Sequence, residues 1–174
     1  CAPLVNTTTE ELLVVDIGGG STELVWIDLS AVPPADRPQA IMRLHMGFDA
    51  QGEGPVARVV DWISVPLGVA TLKDQFADVD DDAARFALMS WFFEENLASF
   101  SPANAVTRRD GFQIIGTSGT VTTVAASFLN LKRYDRSKVD GLQMTSDQID
   151  MVIREYVALG PEGRRNDPRI GRDR

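Results

Sequence analysis

The segment Asp16-Ile17-Gly18-Gly19-Gly20-Ser21-Thr22-Glu23 places two carboxylates, two hydroxyls and three glycines in immediate succession. Three missing β-carbons let the backbone bend sharply and press its N–H groups against an anion. Ser21 and Thr22 add hydroxyl donors. If the flanking segments pair as a hairpin, Asp16 and Glu23 approach one point. Two carboxylates beside a phosphate cradle suit a hydrated Mg²⁺. Such an ion neutralises phosphate charge, and one carboxylate can position an attacking water. On spacing alone a plain Gly-rich hairpin, with Asp16 and Glu23 at solvated strand ends, stays open. Positive φ is expected at Gly19, so a β-branched residue there should disrupt the turn.

A second small-residue turn, Gly116-Thr117-Ser118-Gly119-Thr120, falls between a strand pattern and a helix pattern. Free N–H groups and the positive dipole end of the helix suit an anion there; an ordinary N-cap by Ser118 or Thr120 is the plainer alternative. Other chemistries fail on particular residues. A dinucleotide fingerprint would need glycine at Glu23, and no Gly-Lys-Ser/Thr of a Walker loop is present. A serine-hydrolase elbow would need glycine at Thr120.

The elements that would carry these turns can be read from periodicity. Leu12 to Ile17 is a short apolar run closed by glycines, and Glu23 to Leu29 reads as its hairpin partner. Ala31 to Gln39, with three prolines, is expected as a loop. Met42, Leu44, Met46 and Phe48 alternate with Arg43 and His45, which predicts a half-buried strand with His45 on its polar face. Asp49 to Pro55 reads as a turn. Val56 to Val65 reads as a further strand with Val59, Ile63 and Val65 on one face. After Pro66-Leu67-Gly68, helical spacing appears at Val69, Leu72 and Phe76. A helix from about Asp81 to Phe100 carries an apolar stripe of Phe86, Met89, Phe93, Leu97 and Phe100, widened by Trp91 and Phe92, and Ser101-Pro102 should end it. Phe112 to Ile115 is another strand. Val121, Val124, Ala125 and Phe128 mark a helix. Thr145 and Gln148 form a capping-box signature before Ile149, Val152, Ile153 and Tyr156, with Gly160-Pro161 as the stop. The sum is an α/β fold, a mixed sheet with helices packed against it.

Composition narrows the classes further. The 174 residues carry a formal charge of −8, which disfavours non-specific nucleic-acid binding. Asp78 to Asp82 read as a solvated acidic loop, and the arginines at 164, 165, 169, 172 and 174 as a solvated tail or a polyanion contact. No 18-residue apolar run is present, so no membrane span is expected. Cys1 is the only cysteine, which excludes an internal disulfide and suggests a cytoplasmic setting. Cys1 lacks a nearby basic partner for a nucleophile, and Asn6-Thr7-Thr8 fits a glycosylation triplet by chance.

Val14 to Leu24, Ser64-Val65-Pro66-Leu67-Gly68 and Gly116 to Thr123 together resemble, in order and spacing, the second domain of the exopolyphosphatase/guanosine-pentaphosphate phosphatase family. The resemblance implies a ribonuclease-H-like fold of the actin–hexokinase type and Mg²⁺-dependent hydrolysis of a terminal phosphoanhydride of polyphosphate, or of guanosine pentaphosphate. It implies phosphate contacts from Gly18, Gly19, Gly20, Ser21 and Thr22 and from Gly116, Thr117, Ser118, Gly119 and Thr120. Asp16 and Glu23 become the metal-binding and water-positioning carboxylates. Residues 1–174 are then one domain of a bacterial-type two-domain module. The family's first phosphate loop and catalytic glutamate precede the Asp-Ile-Gly-Gly-Gly motif, and a further helix follows. Neither lies in this chain, so little or no hydrolysis is expected from it alone. The partner expected is the other domain of the same protein; a homodimer stays open. A non-catalytic phosphate or nucleotide sensor and a sugar or acetate kinase-type domain are the competing readings.

Overall fold

The computed structural model describes residues 2–45, 56–100 and 110–170. Its elements are β1 (Glu11–Ile17), β2 (Thr22–Asp28), α1 (Arg37–His45), β3 (Arg58–Val65), α2 (Val69–Gln75), α3 (Asp82–Leu97), β4 (Phe112–Thr117), α4 (Ser118–Phe128), α5 (Arg136–Val139) and α6 (Ser146–Asn166). The strands form a sheet of order β3-β2-β1-β4, with β4 parallel to β1 and β3 antiparallel to β2. The expected mixed α/β sheet is present with four strands among the described residues, not five. The chain divides into two units. One holds residues 1–16, 22–66 and 94–117; the other holds 17–21, 67–93 and 118–174.

In the first unit, strand alternation sorts the apolar side chains onto two faces. Leu12, Val14, Val25, Ile27 and Ile115 pack on one face with Leu29, Val32 and Ile41. Leu13, Val15, Leu24, Trp26, Ile63 and Phe112 pack on the other with Leu97 and Phe100. Trp26 stacks on Phe112 at 5.2 Å and meets Phe100 edge-on at 6.5 Å. Buried Arg37 is satisfied by carbonyls: its Nε donates to Val32 O at 3.1 Å and its Nη1 to Thr7 O at 2.6 Å.

Two sequence expectations fail in this unit. The segment read as a strand from Met42 is the end of helix α1, and the loop before it already contains a 3₁₀ turn, Pro34–Asp36. Pro38 sits in the first helical turn, where its missing N–H costs nothing. Ala40, Ile41 and Leu44 then face the core at helical spacing. Ile41 is 8% exposed and Met42 53%, so the Met42–Leu44 alternation is incidental. Met46, Phe48, the His45 side chain and the turn at 49–55 lie outside the described residues. In β3 the pairing shifts: Trp26 faces Asp61 but Ile27 faces Val59, so Val60 is an inserted bulge residue. The bulge moves Val59 to the face opposite Ile63 and Val65, correcting the single-face reading.

In the second unit, α4 packs against α6, and Ala125, Ala126 and Val139 form a core with Leu129, Leu131, Leu142 and Met144. The capping box at α6 is as read: Thr145 N–H donates to Gln148 Oε1 at 2.8 Å, and Gln148 N–H to Thr145 Oγ1 at 3.3 Å. Gly160, at φ 63°, interrupts the helix without ending it, and Pro161 opens a further helical stretch to Asn166. The stripe on α3 is only partly covered: Phe86 is 47% and Trp91 58% exposed, whereas Leu97 at its end belongs to the core of the first unit. That helix also ends at Leu97, before Ser101-Pro102, which lies outside the described residues. Arg164 and Arg169 are not a free basic tail. Arg164 grips Asp82 through two bonds of 2.6 and 3.0 Å, and Arg169 pairs with Asp167 and Glu155. Arg172 and Arg174 lie outside the described residues.

Candidate active site

The hairpin places the two carboxylates. Leu29 N–H donates to Glu10 O at 2.7 Å, which fixes how the adjacent strands β1 and β2 face each other. At that register Asp16 stands opposite Glu23, on the sheet face that also carries Val14 and Val25. Asp16 is paired across β4 with Thr117, whose Oγ1 donates to Asp16 Oδ2 at 2.9 Å. Glu23 is paired across β3 with Ser64, whose Oγ donates to Glu23 Oε1 at 3.2 Å. Ser64, Glu23, Asp16 and Thr117 thus form a polar row across all four strands. Each carboxylate is held from its outer side by a hydroxyl, which limits its rotamers and leaves further lone pairs available. Thr22 faces the other way: it is buried opposite Val65.

The Gly-rich turn belongs to the second unit. Gly18 N–H donates to Ser21 O at 2.9 Å. The N–H groups of Gly19, Gly20 and Ser21 have no acceptor among the described residues. Gly19 and Gly20 are exposed, and a β-carbon built on either would meet nothing within 4 Å. Neither has φ in the left-handed region, so the reason anticipated for glycine at Gly19 is corrected. The turn itself does not need glycine there; an anion closing on the backbone would.

The second turn divides between the units. Gly116 and Thr117 end β4 in the first; Ser118, Gly119 and Thr120 open α4 in the second. Ser118 has φ 74°, unusual for a residue with a β-carbon. Thr123 Oγ1 donates to Gly119 O at 2.8 Å, and Gly119 has open space beside it.

Mg²⁺ can be tested against this donor set. Among the described residues no three acidic, histidine or cysteine side chains cluster. Two carboxylates on one face nevertheless suit an ion that keeps several waters and takes the rest of its ligands from substrate phosphate.

The sequence profile of the Ppx/GppA phosphatase family matches residues 3–159. The chain belongs to that family. Its fold is that of solved Ppx/GppA structures, of the actin-like ATPase type. The Aquifex aeolicus Ppx/GppA family member is 25% identical, with a TM-score of 0.60 over 97% of this chain and 47% of that one. An exopolyphosphatase-like protein is also 25% identical, with a TM-score of 0.60 over 91% and 44%. An exopolyphosphatase from Cytophaga hutchinsonii, at 22% identity and a TM-score of 0.54 over 94% and 48%, shares the fold. The chain spans about half the length of these structures. No curated protein sequence matches it. No helix among the described residues is long and apolar enough to cross a membrane.

Sequence reading singles out Asp16 and Glu23 but assigns no role to Ser64, which the structure places against Glu23. It took Thr117 as a phosphate contact, whereas its hydroxyl is directed to Asp16. The Ser64–Gly68 motif was the available signal, but cross-strand register was needed to interpret it.

Proposed function

We propose that this chain supplies the metal-binding carboxylates and a phosphate cradle to a phosphoanhydride hydrolase acting on polyphosphate or guanosine pentaphosphate. The observation that carries the reading is the Ser64–Glu23–Asp16–Thr117 row, in which both carboxylates are held by neighbouring hydroxyls. Family membership supports phosphatase chemistry, and the unpartnered amides of Gly19, Gly20 and Ser21 support anion binding.

In this mechanism Asp16 and Glu23 would hold Mg²⁺, and the ion would supply neutralisation of phosphate charge. The amides of Gly19, Gly20 and Ser21 donate to phosphate oxygens, and Ser118 to Thr120 supply further donors from the start of α4. Glu23 or Asp16 orients a water in line with the terminal phosphorus. Attack forms the new P–O bond as the bridging P–O bond breaks; the departing oxygen leaves on the shortened chain, and the water's proton passes to a carboxylate or to solvent. The other domain of the same protein completes the site.

Phosphate release from polyphosphate and from guanosine pentaphosphate, with and without Mg²⁺, tests this in the full-length protein and in this chain. Mg²⁺-dependent release by the full-length protein is expected, lost in Glu23→Gln with the fold retained. Phosphate binding without turnover would establish the sensor reading, and transfer from ATP to a sugar or acetate the kinase reading.

A further inference from the structure

We propose that the corner at the start of α2, Gly68 to Thr71, is the positioning device that makes the Gly18–Ser21 turn receptive to phosphate. The inference rests on the reading above that this turn binds phosphate. Val69 N–H donates to Gly18 O at 3.1 Å, and Ala70 N–H donates to Gly19 O at 2.9 Å. Thr71 Oγ1 lies 3.4 Å from Gly20 O. The same hydroxyl accepts from Gly68 N–H at 2.7 Å and lies 3.1 Å from Gly68 O, so it locks the corner first and touches Gly20 more weakly.

The consequence is a sorting of polarity. The first amides of a helix have no partner within it. Two of those of α2 are spent on carbonyls of the turn. A carbonyl oxygen aimed at phosphate would repel it, so a turn can cradle an anion only when its carbonyls are drawn away from the ligand. Here they are drawn to α2, while the amides of Gly19, Gly20 and Ser21 keep no acceptor among the described residues.

Gly68 makes the approach sterically possible. Its φ of −119° is open to any residue, so conformation does not demand glycine. A β-carbon there would lie 2.4 Å from Gly18 O and from Gly19 C, and 2.5 Å from Gly19 O. Those are backbone atoms that cannot swing aside. Glycine at 68 serves the protein's own packing, whereas glycine at 19 and 20 borders open space. The last residue of the Ser64–Gly68 motif thereby gains a role distinct from that of Ser64.

Tripolyphosphate titration of this chain, followed by backbone amide NMR, tests the proposal. In the wild type the Gly19, Gly20 and Ser21 amides should shift on titration. Thr71→Val should move those resonances before any ligand is added, leave Leu12 and Val152 unchanged, and weaken tripolyphosphate binding about tenfold, the scale of one hydrogen bond. Thr71→Ser should restore both. Gly68→Ala should weaken binding further; if it fails to fold, the contrast between Thr71→Val and Thr71→Ser decides. Wild-type binding in both Thr71→Val and Gly68→Ala would overturn the inference and leave the phosphate reading standing. Silence of the wild-type turn amides would remove that reading and this inference together.

Discussion

Ser64 and Thr117 act on carboxylates that lie 41 and 101 residues away in sequence. A hydroxyl donating to a carboxylate both restrains its rotation and occupies one of its lone pairs. If Thr117 works by holding Asp16, Thr117→Val in the full-length protein should lower kcat about tenfold with KM for polyphosphate nearly unchanged, the signature of an interaction that matters in the transition state. Thr117→Ser should recover the rate. A raised KM at constant kcat would instead make Thr117 the phosphate contact that the family resemblance implied. Ser64→Ala should have a smaller effect in the same direction, because Ser64 is exposed and its bond is 3.2 Å long. At this scale the residue types alone pointed to Asp16, Glu23 and the glycines. Their hydroxyl partners were hidden, because which residues face each other depends on strand register that no local pattern records.

Elements were legible where their determinants are local. The Thr145–Gln148 capping box is written within four residues and forms as read. Thr145→Ala should cost about 1 kcal/mol, measurable as a lower thermal midpoint, because Gln148 N–H loses its acceptor at the helix start. A change within error would show that the cap is replaced by water. Gly160-Pro161 reads as a stop, because nothing local says that helical structure resumes after it, but is only a kink. The strand predicted from Met42, Leu44, Met46 and Phe48 fails at its start because Ile41 and Leu44, three residues apart, fit the helical period as well. Contact with the β1–β2 face decides for the helix, through Ala40, Ile41 and Leu44. For the same reason the sheet has four strands among the described residues, not five.

Across the whole molecule, the excess of acid is partly taken up by internal pairs. Arg169 donates to Asp167 from Nε at 2.9 Å and to Glu155 from Nη2 at 2.6 Å. The bonds that Arg169 donates to Asp167, from its guanidinium first and its backbone N–H second, hold the Asp167 carboxyl below its ordinary value of 3.8. A depressed pKa adds stability above the unfolded-state value, and that stability disappears as pH falls through the folded-state value. Asp167→Asn should therefore be less stable than wild type at pH 7 by about 1–2 kcal/mol, the scale of a charge-assisted hydrogen bond. In urea titrations the gap should close below about pH 4. A gap independent of pH would mean that shape, not charge, holds Arg169. The inserted residue at Val60 has a further meaning at this scale. β3 is an end strand of the sheet among the described residues, and it exposes Val59, Val60 and Trp62. A flat edge of that composition is a template on which another copy's strand could grow, the first step toward fibres. The bulge breaks the repeat of N–H and C=O groups that such growth must copy.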